Sequence, residues 1–184
     1  MQCLKLHIIL IFSIVGGLSL HSNASTAYTN FSPDSTVVAL KDTTKKVNEQ
    51  VEQIIQFAKK FLGTPYHYAG STPSGFDCSG FIYYVMGNFG MRLSRSSPGL
   101  AEYGKTVKLA ELQPGDLMFF KGRNLNTSSV GHVAMVVEVK DGIIKFIHSS
   151  TSRGVIIDTF NNSRYYVPRY LKSKRLDYGG AKVK

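Results

Sequence analysis

Gly75-Phe76-Asp77-Cys78-Ser79-Gly80-Phe81 sets a cysteine where a loop turns into a helix. Ahead of it, Thr64-Pro65-Tyr66 and Ser71-Thr72-Pro73-Ser74 read as turns. Behind it, Phe81-Ile82-Tyr83-Tyr84-Val85-Met86 is an apolar run that stops at Gly87 and Gly90. A helix that begins at Cys78 aims unpaired N–H groups and partial positive charge at the sulfur. Such surroundings favour the thiolate, the nucleophilic form. A lone cysteine is more often a small buried hydrophobe. Asp77, Ser79 and two flanking glycines are not what a core position asks for. The helix itself is apolar nearly all round, which predicts burial between layers.

Upstream, Val47, Val51, Ile54, Ile55, Ala58, Phe61 and Leu62 recur at spacings of three and four, an amphipathic stripe. Thr43 or Thr44 is placed to cap this helix, and Gly63 and Pro65 to close it. Residues 25–43 are rich in Ser, Thr and Asn and read as a flexible leader. Residues 1–24 read as a secretory signal peptide: Lys5, an apolar run over 8–20, then Ser22-Asn23-Ala24. The run is too short for a stable membrane anchor. Cys3 precedes it and so is not the lipid-bearing cysteine of a lipoprotein signal. Export leaves Cys78 with no disulfide partner, so its thiol needs another use. With 22 Lys and Arg against 12 Asp and Glu, the formal charge is +10, which suggests an anionic partner. Export, and the lack of any zinc-finger, helix-turn-helix or aromatic RNA-binding signature, argue against nucleic acid. Acidic wall polymers fit better, and a merely solvated basic surface also fits.

Downstream the pattern changes to strands. Leu112-Gln113-Pro114-Gly115-Asp116 turns into Leu117-Met118-Phe119-Phe120. Residues 132–139 alternate, with His132, Ala134, Val136 and Glu138 on one face. Asp141-Gly142 turns into residues 143–149, Arg153-Gly154 turns into residues 155–158, and residues 170–176 form a closing strand. Residues 177–184 read as a frayed tail. Helices followed by an antiparallel meander give an α+β fold over residues 44–176, with the sheet packed on the cysteine helix.

A cysteine nucleophile needs a base. His132 opens one strand and His148 ends the next, so both sit at one end of a hairpin. A two-residue Asp141-Gly142 turn would put them on opposite faces. A three-residue turn with Gly142 left-handed at its last position would set His148 across from Ala134, on the face of His132. The glycine favours the second arrangement. The expected chemistry is nucleophilic attack by Cys78, with His132 holding its proton and His148 orienting His132. A metal centre is the rival use of one cysteine and two histidines, but no close-spaced ligand pair is evident. No metal and no cofactor is expected.

Five blocks carry a resemblance: Gly63-Thr64-Pro65-Tyr66; Gly75 to Gly80; Leu112 to Leu117; Gly131-His132-Val133-Ala134-Met135; and Phe146-Ile147-His148-Ser149-Ser150. In this order they resemble the NlpC family of bacterial cell-wall cysteine peptidases. The resemblance implies a papain-like fold and hydrolysis of peptidoglycan stem peptides at the γ-D-glutamyl–diamino acid bond by a secreted or periplasmic monomer. By motif it implies Cys78 as nucleophile, His132 as base and His148 as the orienting residue. It further implies Tyr66 at the oxyanion, with Asp77, Ser79 and Ser97 contacting the stem peptide. Arg95 matches a family arginine with a structural role. Ala69-Gly70 and Ser94 depart from the family pattern of paired glycines and a proline. A wall amidase of the same fold and a non-catalytic wall-binding protein are the alternatives.

Overall fold

A computed structural model describes residues 35–179. The expected signal peptide and the first part of the leader lie outside these residues. Helix α1, Ser35–Lys59, starts well before Thr43. Residues 40–46 are exposed, so this part of the helix carries no apolar stripe and its sequence looks like a leader. Residues 35–43, expected as an irregular leader, are thus helical. Thr44 does not cap; its hydroxyl donates to the Leu40 carbonyl 2.9 Å away, inside the helix. From Val51 on, the expected stripe is buried through Ile54, Ile55 and Ala58. Gly63 follows at φ 86°, a left-handed backbone that suits glycine.

A two-stranded hairpin, β1 (Ser71–Thr72) and β2 (Gly75–Phe76), leads into α2, Cys78–Gly87. Asp77 caps α2, its Oδ1 accepting from the Gly80 N–H at 2.7 Å. Phe81, Ile82, Val85 and Met86 are fully buried, each contributing about 1.5–3 kcal/mol of burial. A short helix α3 (Ser97–Leu100) follows, capped by Ser96.

The remaining strands are β3 (Lys105–Val107), β4 (Leu117–Lys121), β5 (Val130–Lys140), β6 (Ile143–Ser150), β7 (Gly154–Thr159) and β8 (Tyr170–Arg175). They form one antiparallel sheet in the order β3-β8-β4-β5-β6-β7. The fold is therefore α+β, as expected. The closing strand β8 is inserted beside β4 rather than lying at the edge. Arg175 of β8 pairs with buried Asp116 through two bonds of 2.7 Å, which fixes the Pro114-Gly115-Asp116 turn. The tail is anchored too: Tyr178 is buried and donates to the Gly115 carbonyl at 2.6 Å. Tyr178 is thus packed, not frayed.

Both faces of the sheet are covered. Leu117, Phe119, Val133, Met135, Ile147 and Val155 pack with α1 and α2. Met118, Phe120, Ala134, Val136 and Phe146 form a second core, closed by Phe160 and Tyr166 from the segment after β7. Among the described residues no helix is long and apolar enough to cross a membrane.

The start of α2 is pressed against the preceding loop. A Cβ on Gly80 would lie 2.0 Å from the Gly70 carbonyl oxygen and 2.6 Å from an Arg95 nitrogen. Because the first of these is backbone, Gly80→Ala is expected to destabilise the protein by about 2–3 kcal/mol, measured by urea unfolding. Gly87→Ala, with no atom from elsewhere in the fold within 4 Å of the added Cβ, serves as the control and is expected to stabilise slightly, by up to about 1 kcal/mol, as Ala does for a helical Gly.

Candidate active site

Cys78 opens α2 at the end of β2; two bonds hold that corner and the 64–66 turn to the sheet, and a third joins the turn to β2. The Ser149 hydroxyl donates to the Phe76 carbonyl at 2.7 Å, in a buried position. Val155 N–H donates to the Thr64 carbonyl at 2.8 Å, and Phe76 N–H to the Pro65 carbonyl at 3.2 Å. The last contact sets Tyr66 beside Phe76 in a parallel bridge. Arg95 reaches in from the segment before α3. Its Nη1 donates to Asp77 Oδ1 (2.9 Å) and Ser79 Oγ (3.0 Å), and its Nη2 to Asp77 Oδ2 (2.8 Å) and the Gly70 carbonyl (2.9 Å). The structure therefore engages Asp77 and Ser79 in a clamp around the start of the helix. Ser97, buried, lies 3.5 Å from the Cys78 sulfur by its hydroxyl.

The histidine pair forms in the expected facing, by a different route. The turn has two residues, Asp141 and Gly142, at φ 50° and 75°, and pairs Lys140 with Ile143. Alone, that register would separate the histidines. A bulge at Val137, between Val136 and Glu138, restores the facing: Val136 pairs with Phe146 and Met135 with Ile147. Continued by one residue, this register sets His148 across from Ala134. The extra residue sits in the strand rather than in the turn. His132 Nε2 then meets His148 Nδ1 at 2.9 Å, the rings edge to face.

Behind His148 stands a group the sequence did not single out. His148 Nε2 lies 3.1 Å from Asp158 Oδ2 and 3.1 Å from the Tyr166 hydroxyl. Tyr166 donates to the same carboxylate oxygen at 2.9 Å, and Arg153 pairs with both oxygens, at 2.7 and 3.2 Å. Asp158 pairs with Phe146 across β6 and β7, so it shares the face of His148 two residues along. The register of the Arg153-Gly154 turn was the signal that could have found it. Tyr166 arrives from an irregular segment, and no periodicity points to it.

Electrostatically, the unliganded site holds neutral partners. Burial pushes the Cys78 thiol up, against smaller lowering effects of the Ser97 hydroxyl and the Val133 and Ser79 backbone N–H groups. Burial and the adjacent His148 lower His132 to about 3. His148 is also lowered, mainly by burial. Asp158 is held well below the usual carboxylate range, first by its bond to His148 and then by Arg153 and Tyr166. The expected resting thiolate–imidazolium pair is thus disfavoured from both sides. Burial, with Cys78 and Asp77 nearby, raises Tyr66 and keeps its hydroxyl protonated as a donor. The two histidines point at each other rather than at a common centre. Among the described residues no group of three His, Cys, Asp or Glu side chains is arranged to hold a metal ion. Two concavities along α1 include neither Cys78 nor a histidine.

Comparison with known proteins matches residues 63–175 to the model of the NlpC/P60 family. The gamma-DL-glutamyl hydrolase of Bacillus subtilis (strain 168) is 37% identical over 126 residues, 68% of this chain and 30% of that protein. A probable endopeptidase of Haemophilus influenzae is 39% identical over 119 residues, 64% of this chain and 69% of that one. An NlpC/P60 family crystal structure from Bacillus cereus ATCC 10987 is similar with a TM-score of 0.62 at 36% identity, covering 71% of this chain and 40% of that one. The chain thus spans under a third of the length of the Bacillus subtilis relative.

A raised thiol pKa has a kinetic signature. Iodoacetamide alkylation of Cys78 in the unliganded protein is expected to rise with pH, with a midpoint above the ordinary thiol value of about 8.5. A plateau already reached at pH 7 would mean that the resting site holds an ion pair after all.

Proposed function

Because the chain belongs to the NlpC/P60 family, we propose that it is a cysteine peptidase of peptidoglycan stem peptides, cutting the γ-D-glutamyl–diamino acid bond. The observation that carries this reading is the 2.9 Å contact of His132 with His148, in a chain whose cysteine opens a buried helix and borders the core that holds Val133, the residue after His132. The family match falls within residues 44–176, the segment expected to carry catalysis. A wall substrate places the site of action outside the cytoplasm, in keeping with the expected signal peptide. The similarity to the gamma-DL-glutamyl hydrolase of Bacillus subtilis supports the choice of bond.

In this reading Cys78 loses its proton to His132 as the sulfur attacks the carbonyl carbon of D-glutamate. His132 Nε2 is occupied by His148, so Nδ1 is the nitrogen left to take that proton. The developing oxyanion is met by the Cys78 backbone N–H and by the Tyr66 hydroxyl. The dipole of α2 favours the same negative charge. His132 then protonates the departing amine, and a thioester joins Cys78 to the acyl fragment. Water, deprotonated by His132, attacks the thioester and releases the carboxylate. Ser97 holds the sulfur in place. Asp77 and Ser79, tied to Arg95, shape the wall on which the stem peptide lies.

The test is mass spectrometry of purified muropeptides incubated with the protein and its variants. A fragment pair split after D-glutamate is expected with the native protein and absent with Cys78→Ala. His132→Ala is expected to lower kcat/KM by about 10³-fold or more. His148→Gln is expected to cost less, because its amide oxygen can accept from His132 while its NH₂ donates to Asp158. Cleavage at a different amide would point to an amidase. No cleavage by a folded protein would favour wall binding without catalysis.

A further inference from the structure

The four groups behind the nucleophile form a chain of donors and acceptors with one consistent assignment. When ionised, Asp158 can only accept, and the groups that hold its Oδ2 so are His148, Arg153 and Tyr166. Tyr166 has a single proton and two neighbours, the carboxylate at 2.9 Å and His148 Nε2 at 3.1 Å. If His148 Nε2 were bare, its lone pair would face a carboxylate oxygen at 3.1 Å, and Tyr166 could satisfy only one of the two. If His148 Nε2 carries the proton, it donates to Asp158 and toward the Tyr166 oxygen, and Tyr166 donates to Asp158. Every group is then satisfied.

The consequence passes through the ring. A neutral His148 protonated on Nε2 has a bare Nδ1, which is an acceptor. His132 Nε2, 2.9 Å away, must then be the donor. A neutral His132 protonated on Nε2 has a bare Nδ1, the nitrogen available to a thiol proton. We infer that Asp158 is a positioning residue that fixes the tautomers of both histidines and so leaves Nδ1 of His132 free to act as the base. Tyr166 assists it, and Arg153 neutralises it from the exposed side. The catalytic consequence rests on the peptidase reading above; the tautomers do not.

The two oxygens of Asp158 differ, and this makes the inference testable. Oδ2 receives three donors, whereas Oδ1 meets only Arg153 at 3.2 Å. Asp158→Asn can therefore keep its oxygen at the Oδ2 position and put its NH₂ at the Oδ1 position, where only the exposed Arg153, itself a donor, has to turn away into solvent. Asp158→Ala removes the acceptor, and Tyr166 is then free to donate to His148 Nε2. That would move the proton of His148 to Nδ1, bare the Nε2 of His132, and place a proton on the nitrogen that should act as base.

The experiment is long-range ¹H–¹⁵N correlation of the histidine rings in the full chain, without substrate, at pH 7.5, with the same samples assayed on muropeptides. In the native protein His132 and His148 are both expected to carry hydrogen on Nε2. Asp158→Asn and Arg153→Gln are expected to keep that pattern, with kcat lowered by less than about 10-fold. Asp158→Ala is expected to shift His148 toward Nδ1–H, with kcat lowered by about 10²-fold or more and KM little changed. Hydrogen on Nδ1 of either histidine in the native protein would overturn the inference. So would an Asp158→Ala protein with unchanged tautomers, or Asp158→Asn and Asp158→Ala proteins equally impaired, since a plain ion pair with Arg153 would behave that way. If Asp158→Ala does not fold, the native and Asp158→Asn spectra still decide. Expected tautomers with no cleavage of any muropeptide would sink the peptidase reading and leave the assignment of Asp158 standing.

Discussion

The bidentate pair of Arg95 and Asp77 fixes where α2 begins, and the position of the sulfur depends on that point. Asp77 caps the helix through the Gly80 N–H and holds Arg95 with both oxygens. Arg95 extends the tie to Ser79 and to the Gly70 carbonyl. Loop, helix start and the segment leading to α3 thereby become one corner. Charge-assisted bonds of this kind contribute about 1.5–3 kcal/mol each before the cost of desolvating the ions. That cost offsets much of the gain, so the clamp is better understood as a device for geometry than for stability. Attack on a carbonyl tolerates little misplacement, about 1 Å being enough to lose two orders of magnitude.

The sheet serves this corner with both of its faces. One face packs α1 and α2 through Phe119, Val133, Met135 and Ile147, which sets the height of the helix that Cys78 opens. The other holds the histidines: Phe120 lies 6.0 Å from the His132 ring, and Phe146 and Tyr166 flank His148 at 5.3 and 5.5 Å. The two faces meet at the first residues of β5, where Val133 belongs to the core that Cys78 borders and the preceding residue is His132. A single strand thus carries His132 and a core residue on the side of Cys78 as consecutive residues that point to opposite sides.

Legibility in the sequence follows the same division. The cysteine helix, its polar cap and the facing of the two histidines could be read, because each is signalled by local residue types or by strict alternation. The bulge at Val137 could not, since nothing in Val136-Val137-Glu138-Val139 marks an extra residue. The reading reached the right facing because a two-residue turn plus a bulge shifts the register as far as a three-residue turn does. The second core was not legible: Phe160 and Tyr166 lie in an irregular segment whose packing is set by tertiary structure alone. For the same reason Asp158 looked like the polar end of a strand. The helical residues 35–43 and the buried Tyr178 were missed for opposite reasons, one a helix without an apolar stripe, the other a single aromatic anchor in a polar tail.

The neutral resting site follows from the burial that makes the arrangement rigid. Removing water from Cys78 and the histidines penalises the charged form of each. The N-terminus of α2 acts in the other direction, as do the Ser97 hydroxyl and the backbone N–H groups of Ser79 and Val133, yet burial is the larger effect on the thiol. In the proposed mechanism charge therefore has to appear when the substrate carbonyl is present to receive it. In that mechanism the positive charge on His132 would be supported by the acceptor nitrogen of His148 and, one ring further back, by an ionised Asp158, and the negative charge would meet the helix N-terminus and the protonated Tyr66. Groups that cannot stabilise an ion pair well enough to form it at rest would then stabilise the separated charges of the transition state, which is where binding energy accelerates a reaction.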